Sequence, residues 1–300
     1  MTCPPRAFAL PSLLLALLLT CSAFAHATVV ETQQDLPVEV VDAFGKRIAQ
    51  TIRVTVFVDD STSTPHPILV INHGRAPDAT DRSNFGRARY ADISRWFALQ
   101  GFLVALPTRI GYGVSGGEDV EDSGACTRKN YLPGFVAAAQ QTVAVLAAMR
   151  ARPDTVADRS VLLGQSFGGA TTVAAAALNP PGVVAAINFA GGAGGNPKTQ
   201  AGEPCAPVQL TRAFADFGRS ARVPMLWAYT DNDQYFGATY PRTWVKAFQD
   251  AGGVAEFVQF GPHGDDGHSL FTRFAAVWQP PVAEFLRRHG FAMAATTATP

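Results

Sequence analysis

Nucleophilic chemistry needs an exposed nucleophile, a base and a group that orients the base, and this sequence offers candidates for all three. Gly164, Gln165, Ser166, Phe167 and Gly168 fit the pattern G-x-S-x-G, set between the apolar run "SVLLG" and the alanine-rich stretch 167–178. That is a strand-to-helix context, in which flanking glycines remove the Cβ atoms that would crowd a sharp bend and leave the serine hydroxyl standing clear. A dinucleotide-binding loop fits less well, because G-x-G-x-x-G would need glycine where Ser166 stands.

A serine hydroxyl is a weak nucleophile until a base takes its proton. Of six histidines, His26 falls in a leader-like N-terminus, His66 lies between two prolines, His73 follows an early strand and His289 ends a helical stretch. The loop "GPHGDDGHSLF" supplies the remaining two, His263 and His268, and His268 directly precedes the last helix-patterned segment. His268 is therefore the expected base, with His263 a turn residue. A carboxylate must fix the imidazole tautomer and stabilise its charged form. The strand "MLWAY" runs out into "TDNDQYF", where Asp231 and Asp233 both qualify, and spacing does not choose between them.

The surrounding pattern predicts what positions these groups. "LPVEVV" and "IRVTVFV" alternate as strands do, with "DAFGKRIAQ" as the excursion between them. "PILVINHG" is continuously apolar and β-branched, as in a strand buried on both faces of a parallel sheet. The helical period in "RARYADISRWFALQG" and the strand "FLVALP" follow. Further along come helices at 135–150, 167–178, 208–220, 243–251 and 270–288, and strands "SVLLG", "VVAAINFA", "PMLWAY" and "AEFVQF". Strands alternating with helices predict an α/β fold with a mostly parallel sheet, whose sites form at the C-terminal ends of the strands.

Composition narrows the partner. The 24 Lys and Arg balance the 24 Asp and Glu of this 300-residue chain, so no net field draws it to nucleic acid or an anionic membrane. A small-molecule substrate is expected, with no cofactor and no metal, since no Cys and His spacing suggests zinc. Nothing in the composition sets an oligomeric state. Residues 1–27 carry Arg6, an apolar run too short to span a membrane, and small residues at Ala23, Ala25 and Ala27. They read as a secretion signal cleaved after Ala25 or Ala27, giving a secreted or periplasmic protein. One domain is expected over 28–290, with 291–300 a disordered tail. Two of the four cysteines, Cys126 and Cys205, remain after such cleavage, and an exported protein is expected to pair them.

"NHG" at 72–74, "GQSFGG" at 164–169, "YTDND" at 229–233 and "GDDGH" at 264–268 together resemble the α/β-hydrolase superfamily. Within it, they resemble the dienelactone hydrolase-related and prolyl-oligopeptidase-like serine hydrolases, over residues 38–288. The resemblance implies an eight-stranded sheet with helices on both faces and a catalytic order of serine, aspartate, histidine. It places the acid at Asp233, leaving Asp231 as a turn residue. It also implies an oxyanion hole from the backbone N–H groups of Phe167 and Arg75, with His73 bracing the loop. Dienelactone hydrolases proper use a cysteine where this chain has Ser166, so the family name does not carry the substrate. In the strand order the family implies, a Cys126–Cys205 bond ties two loops near the mouth. Tyr112, Tyr235 and Phe236 are expected to line a substrate pocket, with Trp227 inside a strand.

Three activities compete on these grounds. A secreted serine hydrolase cleaving carboxylic esters through an acyl-enzyme comes first. A serine peptidase or amidase of prolyl-oligopeptidase-like type comes second, although such enzymes carry a propeller for which this length leaves no room. A noncatalytic α/β-hydrolase scaffold that binds a ligand would have lost a member of the catalytic set, and here every member has a candidate.

Overall fold

In a computed structural model that describes residues 1–3 and 28–293, the sequence's apolar runs become strands whose side chains sort alternately onto two faces. Strand β3 (His66–Asn72) sends Ile68 and Val70 into one core and Leu69 and Ile71 into the other. Strand β4 (Leu103–Thr108) divides Leu103 and Ala105 from Val104 and Leu106 in the same way. Such double burial is what continuous apolar runs encode.

The other strands are β1 (Val29–Val41), β2 (Arg47–Asp59), β5 (Thr155–Gln165), β6 (Val183–Phe189), β7 (Met225–Thr230) and β8 (Ala255–Phe260). They form one sheet in the order β1-β2-β4-β3-β5-β6-β7-β8. β1 and β2 pair antiparallel with their neighbours, and every pairing from β4 onward is parallel. This is the α/β-hydrolase fold expected from the sequence.

The helices are α1 (Ala79–Ser83), α2 (Ala91–Leu99), α3 (Leu132–Arg150), α4 (Phe167–Ala177), α5 (Pro207–Ser220), α6 (Thr239–Asp250), α7 (Leu270–Arg273) and α8 (Ala275–Arg288). Phe135 of α3, Val173 of α4, Leu210 of α5 and Trp244 of α6 cover one face of the sheet. Phe97 of α2, Phe271 of α7 and Trp278 of α8 cover the other. α3 is apolar enough and long enough to cross a membrane, yet it is packed against β1, β3 and α4 as a core helix.

Four expectations need correction. β1 and β2 are each 13 residues long, so the excursion at 42–50 shrinks to a turn at 42–46, closed by Gly45 N donating to Asp42 O. The helix expected from 87 begins only at Ala91, because Tyr90 sits in the left-handed region at φ 38°. The last helix breaks at Phe274, whose φ of −127° and ψ of 51° are not helical. Residues 291–293, expected in a disordered tail, are instead docked: Phe291 and Met293 are buried, Phe291 packing 5.3 Å from Phe102, and the rest of the expected tail lies outside the described residues. Apolar side chains at a chain end dock whether or not they show periodicity. Residues 4–27 of the expected leader, with the cleavage points after Ala25 and Ala27, lie outside the described residues.

Candidate active site

β5 ends at Gln165 and α4 begins at Phe167, leaving Ser166 alone to make the turn. Its φ of 59° and ψ of −126° are strained for a residue with a side chain. Surrounding structure enforces that strain. Ser166 N donates to Phe189 O on β6, and Ser166 O accepts from Gly169 N and Ala170 N at the start of the helix. The turn closes only without side chains on either side: a Cβ on Gly164 would lie 2.0 Å from Gly168 O, and one on Gly168 would lie 2.2 Å from Asn72 O. Among the described residues Ser166 Oγ makes no hydrogen bond.

β7 and β8 deliver the other two groups. Asp233 lies three residues past the end of β7, 2% exposed, and His268 lies past β8, 8% exposed. His268 Nδ1 donates to Asp233 Oδ2 at 2.9 Å. The other carboxylate oxygen accepts from Tyr235 N at 2.8 Å and Phe236 N at 3.0 Å. A carboxylate so occupied accepts only, which puts the imidazole proton on Nδ1 and leaves Nε2 as the basic nitrogen. Tyr235 stacks on the imidazole with ring centroids 4.1 Å apart, and Phe236 meets it edge-on at 5.2 Å. The two rivals lie elsewhere. Asp231 has a 47% exposed side chain 4.0 Å from Arg242, and His263 Nδ1 bonds to Gly261 O.

The loop after β3 is held from behind. His73 accepts from Arg109 N through Nε2 at 3.2 Å, so its Nδ1 carries the proton and donates to Gly74 O at 2.7 Å. Arg109 Nη1 donates to His73 O at 2.7 Å and Nη2 to Gly74 O at 3.4 Å. These bonds occupy the loop's carbonyls. The Arg75 side chain is committed to Asp119, at 2.8 and 2.6 Å, which leaves its backbone N–H as the group it offers. Phe167 is the first residue of α4, and its N–H has no acceptor within the helix. The guanidinium groups of Arg75 and Arg109 lie 5.9 and 5.6 Å from the Phe167 ring centre, so one cationic cluster backs both N–H groups.

Arg109 is itself fully buried and pairs with the equally buried Glu121, which also accepts from Tyr112 Oη at 2.8 Å. Tyr112, expected in the pocket wall, is 0% exposed and packs at 4.6 Å against His73. Its hydroxyl is spent on Glu121, so it supports the loop from inside. Phe236, expected beside it, is 1% exposed and braces His268 and Trp244 instead. Tyr235 alone of the three keeps part of its surface exposed. Trp227 is buried in β7.

Cys126 and Cys205 are joined by a disulfide. It links the connection after β4 to the one after β6, and those strands flank β3 and β5. Tyr131 Oη donates to Cys205 O at 2.5 Å, fastening the same loop to the start of α3. Among the described residues no group of three or more His, Cys, Asp and Glu side chains could hold a metal ion.

Sequence reasoning passed over Arg109, Glu121, Gln165, Asn232 and Asp266. Gln165 Nε2 donates to His268 O at 3.2 Å, and Asp266 Oδ1 accepts from His268 N at 2.9 Å. Gln165, Asn232 and Asp266 lie inside the quoted motifs, whereas Arg109 and Glu121 lie outside all of them and carry no local signal.

A mostly parallel eight-stranded sheet, with serine, aspartate and histidine delivered to its C-terminal rim in that chain order, defines an α/β-hydrolase. Residues 63–241 match the family described as Hydrolase_4, serine aminopeptidase, S33, and the chain belongs to it. The matched span contains Ser166 and Asp233 and ends before His268. No curated protein matches the sequence.

Solved structures share the fold at low identity. The acetyl xylan esterase from Paenibacillus sp. R4 is 17% identical with a TM-score of 0.56, over 88% of each chain. A dienelactone hydrolase-like promiscuous phosphotriesterase from metagenomic libraries is 17% identical with a TM-score of 0.51, over 77% of this chain and 82% of that one. The acylaminoacyl peptidase of Pyrococcus horikoshii is 15% identical with a TM-score of 0.58, over 88% of this chain and 43% of that one.

Proposed function

We propose that this hydrolase cleaves carboxylic esters through an acyl-enzyme, with Ser166 as nucleophile, His268 as base and Asp233 as the orienting acid. The observation that carries the reading is the 2.9 Å bond from His268 Nδ1 to Asp233, beside a serine held at positive φ on the same sheet edge. As substrate enters, Ser166 Oγ closes onto His268 Nε2, a contact that commonly tightens only in the complex. The oxygen then adds to the carbonyl carbon while its proton passes to Nε2. The carbonyl electron pair moves onto oxygen, held by the N–H groups of Arg75 and Phe167, each contributing on the order of 3 kcal/mol. Collapse expels the alcohol, which takes the proton from His268. Water repeats the sequence and frees the acid.

A peptidase or amidase is the second reading, and the family's description favours it. The same residues would then protonate an amine leaving group. We also infer export, supported by the leader-like residues 1–27 and by the Cys126–Cys205 disulfide, which persists in oxidising compartments.

A fluorophosphonate probe should label the wild type and leave Ser166→Ala unlabelled. Labelling that survives the substitution refutes the nucleophile. Rates on p-nitrophenyl esters against prolyl and aminoacyl amides decide between the two activities, and a protein inert to probe and substrates alike is a binding scaffold.

A further inference from the structure

Asn232 and Asp266 are neighbours of the proposed acid and base, and neither has a part in the reaction above. Each reaches across to the other's loop. Asn232 Oδ1 accepts from His263 N at 3.0 Å and its Nδ2 donates to Gly264 O at 2.9 Å, so a side chain of the acid loop grips the backbone of the base loop. Asp266 Oδ1 accepts from Gln234 N at 3.0 Å and from His268 N at 2.9 Å, so a side chain of the base loop grips the acid loop in return. The backbones themselves touch: Gly267 N donates to Asn232 O at 3.2 Å, and a Cβ on Gly267 would lie 2.1 Å from Thr230 Oγ1.

We propose that Asn232 and Asp266 are positioning residues, a reciprocal clamp between the two loops that sets His268 against Asp233. The proposal rests on the catalytic reading of that pair. Capping the short 3-10 turn at Gly267–Ser269 requires only the bond from His268 N. The second bond on the same oxygen runs to Gln234, the residue after the acid and 32 positions away in sequence. One oxygen thereby fixes the backbone of the base relative to the backbone beside the acid. Bonds to a carboxylate are stronger than neutral ones, which suits a joint between two irregular segments. Neither side chain touches a reacting atom. Without the clamp, the loops would be joined beside the Asp233–His268 pair only by that pair's own bond and the backbone bond from Gly267 N to Asn232 O, and a misplacement of 1 Å in such a site costs about 100-fold in rate.

The variants Asp266→Ala, Asp266→Asn and Asn232→Ala test this. Asparagine keeps an oxygen able to accept from the same two N–H groups while losing the charge. Expected is a fall in kcat per titratable serine of up to about 100-fold in Asp266→Ala, with KM little changed. Asp266→Asn should recover most of that loss, and Asn232→Ala should fall in the same direction as Asp266→Ala. The downfield proton NMR signal of the His268 Nδ1–H, which needs no substrate, should weaken or vanish in both alanine variants and persist in Asp266→Asn. Should Asp266→Ala fail to fold, the Asn232→Ala variant decides alone. Alanine variants with wild-type kcat and an intact signal overturn the clamp, as does an Asp266→Asn as impaired as Asp266→Ala. A wild type that hydrolyses no ester or amide sinks the catalytic reading, while the NMR signal still tests the clamp.

Discussion

Gln165 Nε2 donates to the carbonyl of His268 at 3.2 Å, so the residue just before Ser166 holds the loop that carries the proposed base. The other end of the same amide meets Tyr90 Oη at 3.5 Å, and Tyr90 Oη accepts from Gly74 N at 3.3 Å. The proposed nucleophile, the loop of the proposed base and the loop after β3 are thereby referred to one side chain.

Replacing Gln165 with leucine keeps the bulk and removes both polar ends. The expected outcome is a loss in kcat of up to about 100-fold, with KM changing far less, since the bonds removed position the loops rather than the substrate. Gln165→Glu should be no better, because a carboxylate cannot donate to the His268 carbonyl. Steady-state kinetics on a soluble ester measure both, and an unimpaired leucine variant would show that the bond is incidental.

Glu121→Gln tests the cluster behind the oxyanion loop. Glu121 and Arg109 are both fully buried, and the guanidinium also holds the carbonyls of residues 73 and 74. Removing the carboxylate charge leaves Arg109 uncompensated in the interior, which destabilises a protein by about 3–5 kcal/mol. Urea denaturation should show a loss in that range. Activity should fall as well, because an Arg109 drawn toward other partners no longer fixes the loop that presents Arg75 N–H. A stability change within error would mean that water or another anion reaches the guanidinium.

The elements and two of the three proposed catalytic residues, Ser166 and His268, are legible because their signals are local. Continuous apolar runs encode doubly buried strands, and the glycines around Ser166 encode a turn that admits no Cβ. The choice of Asp233 over Asp231 was not local; it needed a resemblance, and the coordinates place Asp233 against His268 and Asp231 near Arg242. Asn232, Asp266, Gln165 and the Arg109–Glu121 pair were invisible for a related reason. Each has a partner between 12 and 103 positions away in sequence, and no spacing rule links them. Tyr112 and Phe236 were misplaced because an aromatic residue beside a strand end fits a pocket wall and a buried brace equally well. Here Glu121 and His268 claimed them as braces.

His73 makes the folded chain sensitive to acid. Burial, followed by the neighbouring Arg109 charge, holds its pKa well below the ordinary 6.5, and the hydrogen bond to Gly74 O opposes them only in part. Below pH 6.5 the unfolded chain therefore binds a proton at this residue that the folded chain refuses. The stabilising contribution is complete above pH 6.5 and is lost as pH falls beneath it, with a slope approaching about 1.4 kcal/mol per pH unit for one proton. His73→Asn should flatten the dependence of unfolding free energy on pH between neutrality and pH 5, whatever it does to stability at pH 7. Equal slopes in the two proteins would mean that His73 titrates normally.

The disulfide is expected to act on both stability and selectivity. Cys126 and Cys205 are 79 positions apart, and closing a loop of that length restricts the unfolded chain by on the order of 4 kcal/mol. A Cys126→Ser, Cys205→Ser variant should lose up to that amount in chemical denaturation. The bond also sits on a loop that reaches the proposed acid: Cys205 N donates to Gly194 O at 3.0 Å, and Gly202 N donates to Gln234 O at 2.7 Å, one residue past Asp233. Tyr240 Oη donates to Glu203 Oε2 at 2.6 Å, tying the same loop to α6. With the disulfide gone, residues 191–206 keep these bonds but lose their covalent anchor to the connection after β4, so the loop can move relative to the proposed acid. The order of rates across p-nitrophenyl esters of increasing acyl length should therefore change in the double variant, beyond any uniform loss of activity. A variant that melts earlier yet preserves the wild-type order would confine the disulfide to stability.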